Sequence, residues 1–185
     1  ITQAYSKKHH FPSKDIKKID VLFIGCYEKD RFKYLLFLSE NNIKVTIFGN
    51  GWKRIKNENL NNNLDINTKP LLGDDYRKAI SQSKICLCFL RKINFDQHTS
   101  RSIEIPAIST LMIAEKTNEH LKLFDENEAV YFIDEKDLLM KVKYYLFNKK
   151  EREKIANNGY QRCISSPYSY EDMWVSIKQN SNVKN

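Results

Sequence analysis

The chain has 185 residues, of which 41% are hydrophobic and 12% aromatic, with only 5 Gly and 4 Pro. This composition is typical of a globular domain and excludes disordered and fibrous classes. A chain of this length buries about 70% of the surface that its unfolded form exposes, so small scaffolds that depend on disulfides or metals are excluded as well. The net charge of +8 rests mostly on lysines interleaved with acids, which is typical of solvated helix surfaces.

The ends of the chain and its cysteines bear on where the protein works. No apolar run approaches the roughly 20 residues of a membrane span, so we expect no transmembrane segment. The start, Ile1-Thr2-Gln3, has neither an initiator Met nor a signal peptide, and we expect a fragment of a longer protein. The four cysteines form no Cys-x-x-Cys motif, and Cys86 and Cys88 lie in an apolar run. We therefore expect a reduced, cytoplasmic protein.

The first half of the chain predicts alternating strands and helices. In order, we predict a polar lead-in or linker over 1–18, a strand over 20–25, an amphipathic helix over 29–41 and a strand over 43–48. Strand, helix and strand within about 30 residues predict a parallel pair with a right-handed crossover. The Asn- and Lys-rich stretch 53–70 is expected to be a surface excursion with at most a short strand near 64–66.

The second half continues the alternation. We predict helices over 74–82, 101–108, 117–124, 138–146, 148–159 and 168–179, and strands over 84–90, 110–114 and 129–133. Pro106 is expected in the first turn of its helix, and Asn148 and Gly159 are expected to cap and to end theirs. The pattern predicts an α/β fold with a Rossmann-like, doubly wound parallel sheet over 19–179, followed by a polar tail at 180–185.

Four loops follow the predicted strands on the edge of the sheet where ligands bind in such folds. They are Gly25–Arg31, Gly49–Trp52, Arg91–Arg101 and Glu115–Thr117. The third is the most informative, because it packs cations, a carboxylate, an amide and the imidazole of His98 after a buried strand, which is unusual for a mere connection.

Motifs in this order and spacing resemble a known family. Those that carry the resemblance are the strand Asp20–Gly25, Gly49-Asn-Gly-Trp52, Tyr76-Arg-Lys-Ala79, Asp96-Gln-His-Thr99, Arg101-Ser-Ile-Glu-Ile-Pro-Ala107, Glu115-Lys-Thr117 and Glu151-Arg152 with Ile155-Ala156 and Gly159. Together they resemble the C-terminal domain of CgeB-type, group-1-like glycosyltransferases of the GT-B fold, over about residues 20–175. The resemblance implies a half that binds a nucleotide-sugar, with UDP favoured over GDP, and a separate N-terminal acceptor-binding half that is absent here.

The resemblance also implies roles for single residues. Glu104 takes the place of the carboxylate that binds the ribose hydroxyls, Asp96 that of an acid eight residues before it, and Arg31 that of the cation facing the diphosphate, for which Lys29 or Lys33 could substitute. Ser109 stands where relatives often have a Gly close to phosphate. The candidate donor-binding set is Gly25, Arg31, Arg91, Asp96, Thr99, Arg101, Glu104 and Thr117, with His98 as a possible catalytic residue and no metal ligand.

Several of these residues also have purely structural interpretations. Glu104 could complement the helix macrodipole, and His98 could be an ordinary hydrogen-bonded loop residue. Trp52 could stack on a base or close the core, and the core is the commoner place. Asp74 and Asp75 resemble metal-binding acids of another glycosyltransferase fold, but N-capping of a helix is the favoured interpretation. His120 is expected to be structural.

Three functional classes follow. The first is the donor-binding domain of a metal-independent GT-B glycosyltransferase, inactive as an isolated fragment, which uses cations to stabilise the departing diphosphate. The second is a regulatory or scaffold module that kept the nucleotide pocket. The third is a basic nucleic-acid-binding protein, which no cluster of aromatic and basic residues supports and whose binding would depend steeply on salt.

Overall fold

A computed structural model describes residues 3–55 and 61–182 of the chain. Six parallel strands form one sheet in the order β3-β2-β1-β4-β5-β6. The strands are β1 (Ile19–Ile24), β2 (Val45–Phe48), β3 (Leu64–Asn67), β4 (Ser83–Cys88), β5 (Leu111–Glu115) and β6 (Val130–Phe132). The order turns back between β1 and β4, which confirms the doubly wound, Rossmann-like prediction and creates a crevice at the carboxyl ends of these two strands.

Seven α-helices are seen in the described part of the chain. They are α1 (Lys29–Glu40), α2 (Gly73–Ser81), α3 (Arg101–Ala107), α4 (Asn118–Leu123), α5 (Glu135–Phe147), α6 (Lys149–Ser165) and α7 (Tyr170–Asn182). None of the described helices is long and apolar enough to cross a membrane. The bounds of the predicted strands and helices agree with the observed ones to within about three residues, except at the points given below. Residues 56–60 of the predicted surface excursion and 183–185 of the tail lie outside the described part.

The central strands β1, β4 and β5 bury both of their faces, because helices cover the two sides of the sheet. Val21, Phe23 and Ile85 pack with α1 and α5 on one face, while Leu22 and Cys86 pack with α2, α3 and α4 on the other. Such strands form almost continuous apolar runs, which is why the sequence of β1 and β4 predicts them so clearly.

Two predictions about helix ends are wrong. Pro106 lies in the last turn of α3, where its missing N–H removes the bond to the Ser102 carbonyl and the helix ends one residue later. Gly159 does not end a helix: it lies inside α6, where an added Cβ would be 2.5 Å from the carbonyl oxygen of Glu128. Asn148 is the N-cap residue of α6, as predicted, but its side chain makes no capping hydrogen bond, because its amide donates to the Tyr144 carbonyl at 2.9 Å.

The lead-in segment contacts the end of the chain. The Tyr5 amide donates to the Tyr168 carbonyl at 3.0 Å, and the Tyr170 amide donates to the Tyr5 carbonyl at 2.9 Å. Lys7 forms an ion pair with Asp172 at 2.8 Å. The ring of Tyr5 is buried, and burial raises the pKa of its hydroxyl to about 12. These contacts join residues 3–7 to the start of α7.

Candidate functional site

A cleft of about 310 Å³ opens at the carboxyl ends of β1 and β4. The loop after β1 contributes one wall and the long loop between β4 and α3 contributes most of the rest. The cleft is lined by Gln3, Cys26, Arg31, Arg91, Asn94, Asp96, His98, Thr99, Ser100 and Arg101. It is the crevice that the strand order predicts, and its lining is strongly polar.

Three guanidinium groups give the cleft a positive charge. Arg31 extends from the first turn of α1, and Arg91 and Arg101 come from the two ends of the loop after β4. Two of these guanidinium groups form ion pairs with the same carboxylate, that of Glu28. Its Oε1 lies 3.3 Å from Arg31 Nη1 and 2.8 Å from Arg91 Nε. Arg31 Nη1 also donates to the Cys26 carbonyl at 3.3 Å.

Hydrogen-bonding groups in the cleft are left without partners. The Nε atoms of Arg31 and Arg101 and Nε2 of His98 are buried and have no hydrogen-bond partner among the described residues. Buried polar atoms are normally satisfied, because leaving one unpaired costs about 1–3 kcal/mol. Burial lowers the pKa of Arg31, and the charges of Arg101 and Arg91 act in the same direction against the opposing effect of Glu28. The arrangement favours a bound anion.

A tight turn shapes the wall of the cleft. Residues Lys92–Asn94 form one turn of 3-10 helix, and the Arg91 carbonyl accepts from the amides of Asn94 at 3.1 Å and Asp96 at 3.3 Å. Phe95 ends this turn in the left-handed region, at φ 54°, with 88% of its side chain exposed. This conformation places Asn94 and Asp96, on either side of Phe95, in the lining.

A buried network fixes the other end of the loop. His120 Nδ1 lies 2.7 Å from the Glu115 carbonyl, to which it must donate, so Nε2 accepts from the Ser102 hydroxyl at 2.8 Å. The Ser102 oxygen in turn accepts from the Thr99 amide at 2.9 Å. Burial lowers the pKa of His120, which keeps the ring neutral in this role. The prediction that His120 is structural is thus confirmed.

Residues at and after the end of β5 hold the same loop in place by hydrogen bonds. Glu115 Oε1 accepts from the Leu90 amide at 2.8 Å, and burial raises the pKa of this carboxyl. Thr117 caps α4 by accepting from the His120 amide at 3.0 Å, and its hydroxyl donates to the Gln97 carbonyl at 2.7 Å. These bonds explain why polar residues follow β5 although they do not line the cleft.

The structure brings most of the predicted site residues together. Those that line the cleft are Arg31, Arg91, Asp96, His98, Thr99 and Arg101. Thr117 supports the loop instead, and Gly25 lies beneath the cleft, where its carbonyl accepts from Trp52 Nε1 at 2.8 Å. Gly49, at φ 148°, packs so closely on the Gly25 backbone that no Cβ would fit. Trp52 is completely buried, so the interpretation as a core residue is confirmed.

Glu104 lies next to the cleft but is not part of its lining. The residue is one turn into α3, and its Oε2 accepts a hydrogen bond of 2.6 Å from the Tyr76 hydroxyl of α2. Burial raises the pKa of Tyr76 well above its ordinary value, with Glu104 the next cause, so the hydroxyl stays protonated and donates. The binding of ribose by Glu104 stays a prediction. The hydrogen bond from Tyr76 fixes the orientation of the Glu104 carboxylate.

Two of the expectations about other residues are wrong. Ser109 follows α3 and precedes β5, so it lies at the amino edge of the sheet, opposite the cleft. Asp74 and Asp75 lie in the first turn of α2 rather than at its N-cap, which is Leu72, and Asp74 pairs with Arg77 at 3.4 Å. Within residues 3–55 and 61–182, no group of three or more His, Cys, Asp or Glu could hold a metal ion.

Sequence reasoning missed several residues of the site. Gln3 reaches the cleft from the predicted lead-in, and no local pattern indicated it. Glu28 was passed over although it precedes the cation Arg31 by three residues, a spacing that brings side chains together at the start of a helix. Cys26, Asn94 and Ser100 line the cleft within loops that had been singled out as a whole.

Comparison with protein families identifies the chain. A family model described as Glycosyl transferase-like matches residues 32–179, which is most of the sequence. The chain belongs to this glycosyl transferase-like family. No curated protein matches the sequence significantly. The match runs from within α1 to within α7 and includes every strand of the sheet except β1. It also includes the whole loop between β4 and α3.

Solved structures of glycosyltransferases share the fold of this glycosyl transferase-like chain. Sucrose-phosphate synthase from Thermosynechococcus elongatus aligns at a TM-score of 0.75 and 12% identity, over 97% of this chain and 51% of its own. The C-terminal domain of a group 1 family glycosyl transferase from Francisella tularensis aligns at 0.70 and 14% identity, over 90% of this chain and 99% of its own. The fold is therefore that of the C-terminal domain of a GT-B glycosyltransferase.

A third similar structure holds a ligand. HepE from Anabaena, solved in complex with UDP and glucose, aligns at a TM-score of 0.73 and 11% identity, over 96% of this chain and 55% of its own. The present chain thus spans about half the length of HepE and of the sucrose-phosphate synthase.

Proposed function

We propose that this glycosyl transferase-like chain is the donor-binding half of a GT-B glycosyltransferase and that its cleft takes the diphosphate of a nucleotide-sugar. The observation that carries the proposal is the convergence of the unpaired, buried Nε atoms of Arg31 and Arg101 and Nε2 of His98 on one positive cleft at the crevice of the sheet. A diphosphate supplies both the acceptors and the negative charge that these groups lack.

The same groups account for the chemistry of transfer. When the bond between the sugar and the diphosphate breaks, negative charge builds up on the departing diphosphate. Fixed guanidinium groups in a partly buried cleft stabilise that charge without reorganising, which lowers the barrier. Arg31, Arg91 and Arg101 therefore act where a divalent metal acts in other enzymes, and the proposed reaction is independent of metal and of any added cofactor.

The donor is proposed to be a UDP-sugar, bound as in CgeB-type enzymes. Glu104 accepts from the ribose hydroxyls, Asp96 faces the sugar, and Thr99 contributes to the phosphate site. His98 is the candidate proton carrier. HepE, which has this fold, was solved with UDP and glucose, and this supports the choice of uridine over guanosine.

The acceptor is proposed to bind to a second half, contributed by another part of the polypeptide or by a partner chain. The sucrose-phosphate synthase and HepE, which share this fold, are about twice as long as this chain. The isolated half should bind the donor without transferring its sugar. Buried free thiols at Cys86, Cys88 and Cys163 agree with a reducing compartment such as the cytoplasm.

A ligand screen by thermal shift tests the proposal. A ligand at 100 times its dissociation constant adds about 2.7 kcal/mol to the free energy of unfolding, so the ligand that binds most tightly raises the melting temperature most. We expect that ligand to be UDP, ahead of GDP, ADP and CMP. The Arg101→Ala variant should lose this shift, whereas Lys122→Ala, which removes an exposed lysine away from the cleft, should keep it. If no nucleoside diphosphate shifts the wild-type melting temperature, the proposal is wrong.

Sugar transfer separates an enzyme from a binding module. Addition of an acceptor-binding half should restore transfer if the chain is a catalytic half. Tight UDP binding without transfer in any such reconstituted protein would instead indicate the regulatory or scaffold module.

A further inference from the structure

A second polar pocket lies at the opposite edge of the sheet from the cleft. It has a volume of about 110 Å³ and lies at the amino ends of β4 and β5, beside the first part of α6. Its lining consists of Lys17, Lys84, Ser109, Leu111, Arg152, Glu153 and Ala156. The proposed donor site uses none of these residues.

Positive charge in this pocket exceeds the negative charge that could balance it. Lys84 is paired with Asp20 at 2.6 Å, and Glu153 lies 3.7 Å from Lys149 on the exposed side of α6. Among the described residues, Lys17 and Arg152 form no ion pair. Arg152 is buried and its Nη1 donates only to neutral carbonyls, those of Tyr145 at 2.6 Å and Leu146 at 3.2 Å.

The ammonium group of Lys17 is the least satisfied of these cations. Within the described part of the chain, Nζ donates to the Thr110 hydroxyl at 3.2 Å, although an ammonium carries three donors. Burial lowers the pKa of Lys17 to about 8, and the charge of Arg152 adds to the effect. A cation held in this state costs free energy that a bound anion would return.

The backbone beside the pocket is also strained. Ser109 lines it at φ 57°, a left-handed conformation that residues other than Gly, Asn and Asp seldom adopt. That conformation connects α3 to β5 and places Ser109 in the lining of the pocket, next to Thr110, whose hydroxyl accepts from Lys17 Nζ at 3.2 Å. Strained backbone that the surrounding fold maintains is a common feature of binding sites.

We propose that this pocket is a second anion site, which binds a single tetrahedral oxyanion between Lys17, Arg152 and Ser109. Its volume fits one phosphate or sulfate group and excludes a nucleotide, so the occupant is either a free oxyanion or the terminal phosphate of a molecule whose remainder stays in solvent. The site is separate from the donor cleft, which lies across the sheet.

Titration of backbone amides by NMR tests the site directly. Sodium sulfate, added at constant ionic strength against chloride, should shift the amides of Ser109, Thr110 and Leu111 in a saturable way. Lys17→Met keeps the volume of the side chain and should weaken sulfate binding about tenfold, since it removes a charge-assisted contact. Lys17→Arg should keep binding, and the matched control Lys8→Met, an exposed lysine of the same segment, should not change it. Equal affinity in wild type and Lys17→Met, or no saturable shift at these amides, would overturn the proposal.

The pH dependence gives a second readout. Sulfate does not titrate near neutral pH, so a loss of affinity of about tenfold between pH 7 and pH 9 would report deprotonation of Lys17. The charged and titratable groups around Lys17 are Arg152 and Glu153 from α6, the Cys86 thiol from β4 and Asp15 from its own segment. Lys84, which is paired with Asp20, lines the same pocket. Sulfate affinity that stays constant over this range would contradict the role of Lys17. Orthophosphate and glycerol 3-phosphate, compared at pH 7, distinguish a site for free oxyanions from one for phosphate monoesters.

Discussion

At the scale of single residues, the proposed donor site depends on a shortage of negative charge in the cleft. Glu28 is shared between Arg31 and Arg91, and the described residues supply no carboxylate to Arg101. The guanidinium groups are held in place by the start of α1 and by the loop before α3, so they are oriented before any ligand arrives. Such preorganisation lets a charge-assisted contact contribute its full strength to binding.

Removal of the side chain of Arg31 or of Arg101 should weaken the binding of UDP much more than the binding of uridine. We expect Arg31→Ala and Arg101→Ala each to cost about 1.5–3 kcal/mol of binding free energy for UDP. Uridine, which lacks phosphate, should lose little affinity. Isothermal titration with both ligands measures the difference. Equal losses for UDP and uridine would place these arginines away from the diphosphate.

The Tyr76 hydroxyl should matter only through Glu104. Tyr76→Phe removes the donor of the 2.6 Å hydrogen bond and leaves the buried ring, so the carboxylate loses its fixed orientation. We expect affinity for UDP to fall about three- to tenfold, and Glu104→Gln to lower it by about tenfold, the equivalent of 1.4 kcal/mol. The 2′,3′-dideoxy analogue of UDP should bind both variants as it binds wild type. If Glu104→Gln lowers the melting temperature and leaves UDP affinity unchanged, Glu104 is a helix-stabilising residue only.

At the scale of elements, the long helix α6 packs very closely against the chain that precedes β6. Gly159 lets the helix approach the 125–128 turn, where the Asn158 amide donates to the Asn127 carbonyl at 3.0 Å and Arg162 Nε donates to the Leu123 carbonyl at 3.2 Å. The pattern of a Gly after an amphipathic run predicts a helix end, yet here the absence of a side chain serves packing. Only the tertiary structure distinguishes the two uses.

Addition of a methyl group at Gly159 should destabilise the fold. The new Cβ would lie 2.5 Å from the Glu128 carbonyl oxygen and 3.3 Å from Pro106 Cβ, so backbone must shift. We expect Gly159→Ala to lower the free energy of unfolding by about 1–3 kcal/mol, despite the better helix propensity of Ala. Asn157→Ala, at an exposed position of the same helix, should stay within about 0.5 kcal/mol of wild type. Urea unfolding measures both, and a Gly159→Ala protein as stable as wild type would show that α6 is not held this closely.

The network around His120 should make stability depend on pH. Burial lowers the pKa of His120, so the folded protein binds fewer protons than the unfolded chain, whose histidines titrate near pH 6.5. Stability should therefore fall as pH drops through about 6.5. His120→Gln can replace one hydrogen bond without titrating, so its melting temperature should fall less than that of wild type between pH 7.5 and 5.5. The control His9→Gln, at an exposed residue, should follow wild type, and parallel pH curves for wild type and His120→Gln would contradict the neutral His120.

At the scale of the whole molecule, the doubly wound order of strands determines where the cleft lies. The apolar runs of β1, β4 and β5 and the stripe of α5 predict the fold, because burial on both faces leaves a simple pattern in the sequence. The loop from Arg91 to Arg101 was predictable as part of the polar crevice from its density of polar residues. The contribution of Gln3 to the cleft and the hydrogen bond between Tyr76 and Glu104 were not predictable, because each depends on contacts between segments far apart in the chain. The position of Ser109 at the amino edge of the sheet follows from the predicted helix before it and the predicted strand after it.

Calorimetric titration of the isolated chain with UDP tests the central claim most directly. We expect saturable, one-to-one binding that is the same in EDTA and in magnesium, because the arginines already supply the positive charge. The Arg31→Ala, Arg101→Ala double variant should lose this binding while keeping the melting temperature of wild type. Binding that disappears in EDTA would contradict the metal-independent site, and binding unaffected by the double substitution would contradict the cleft itself.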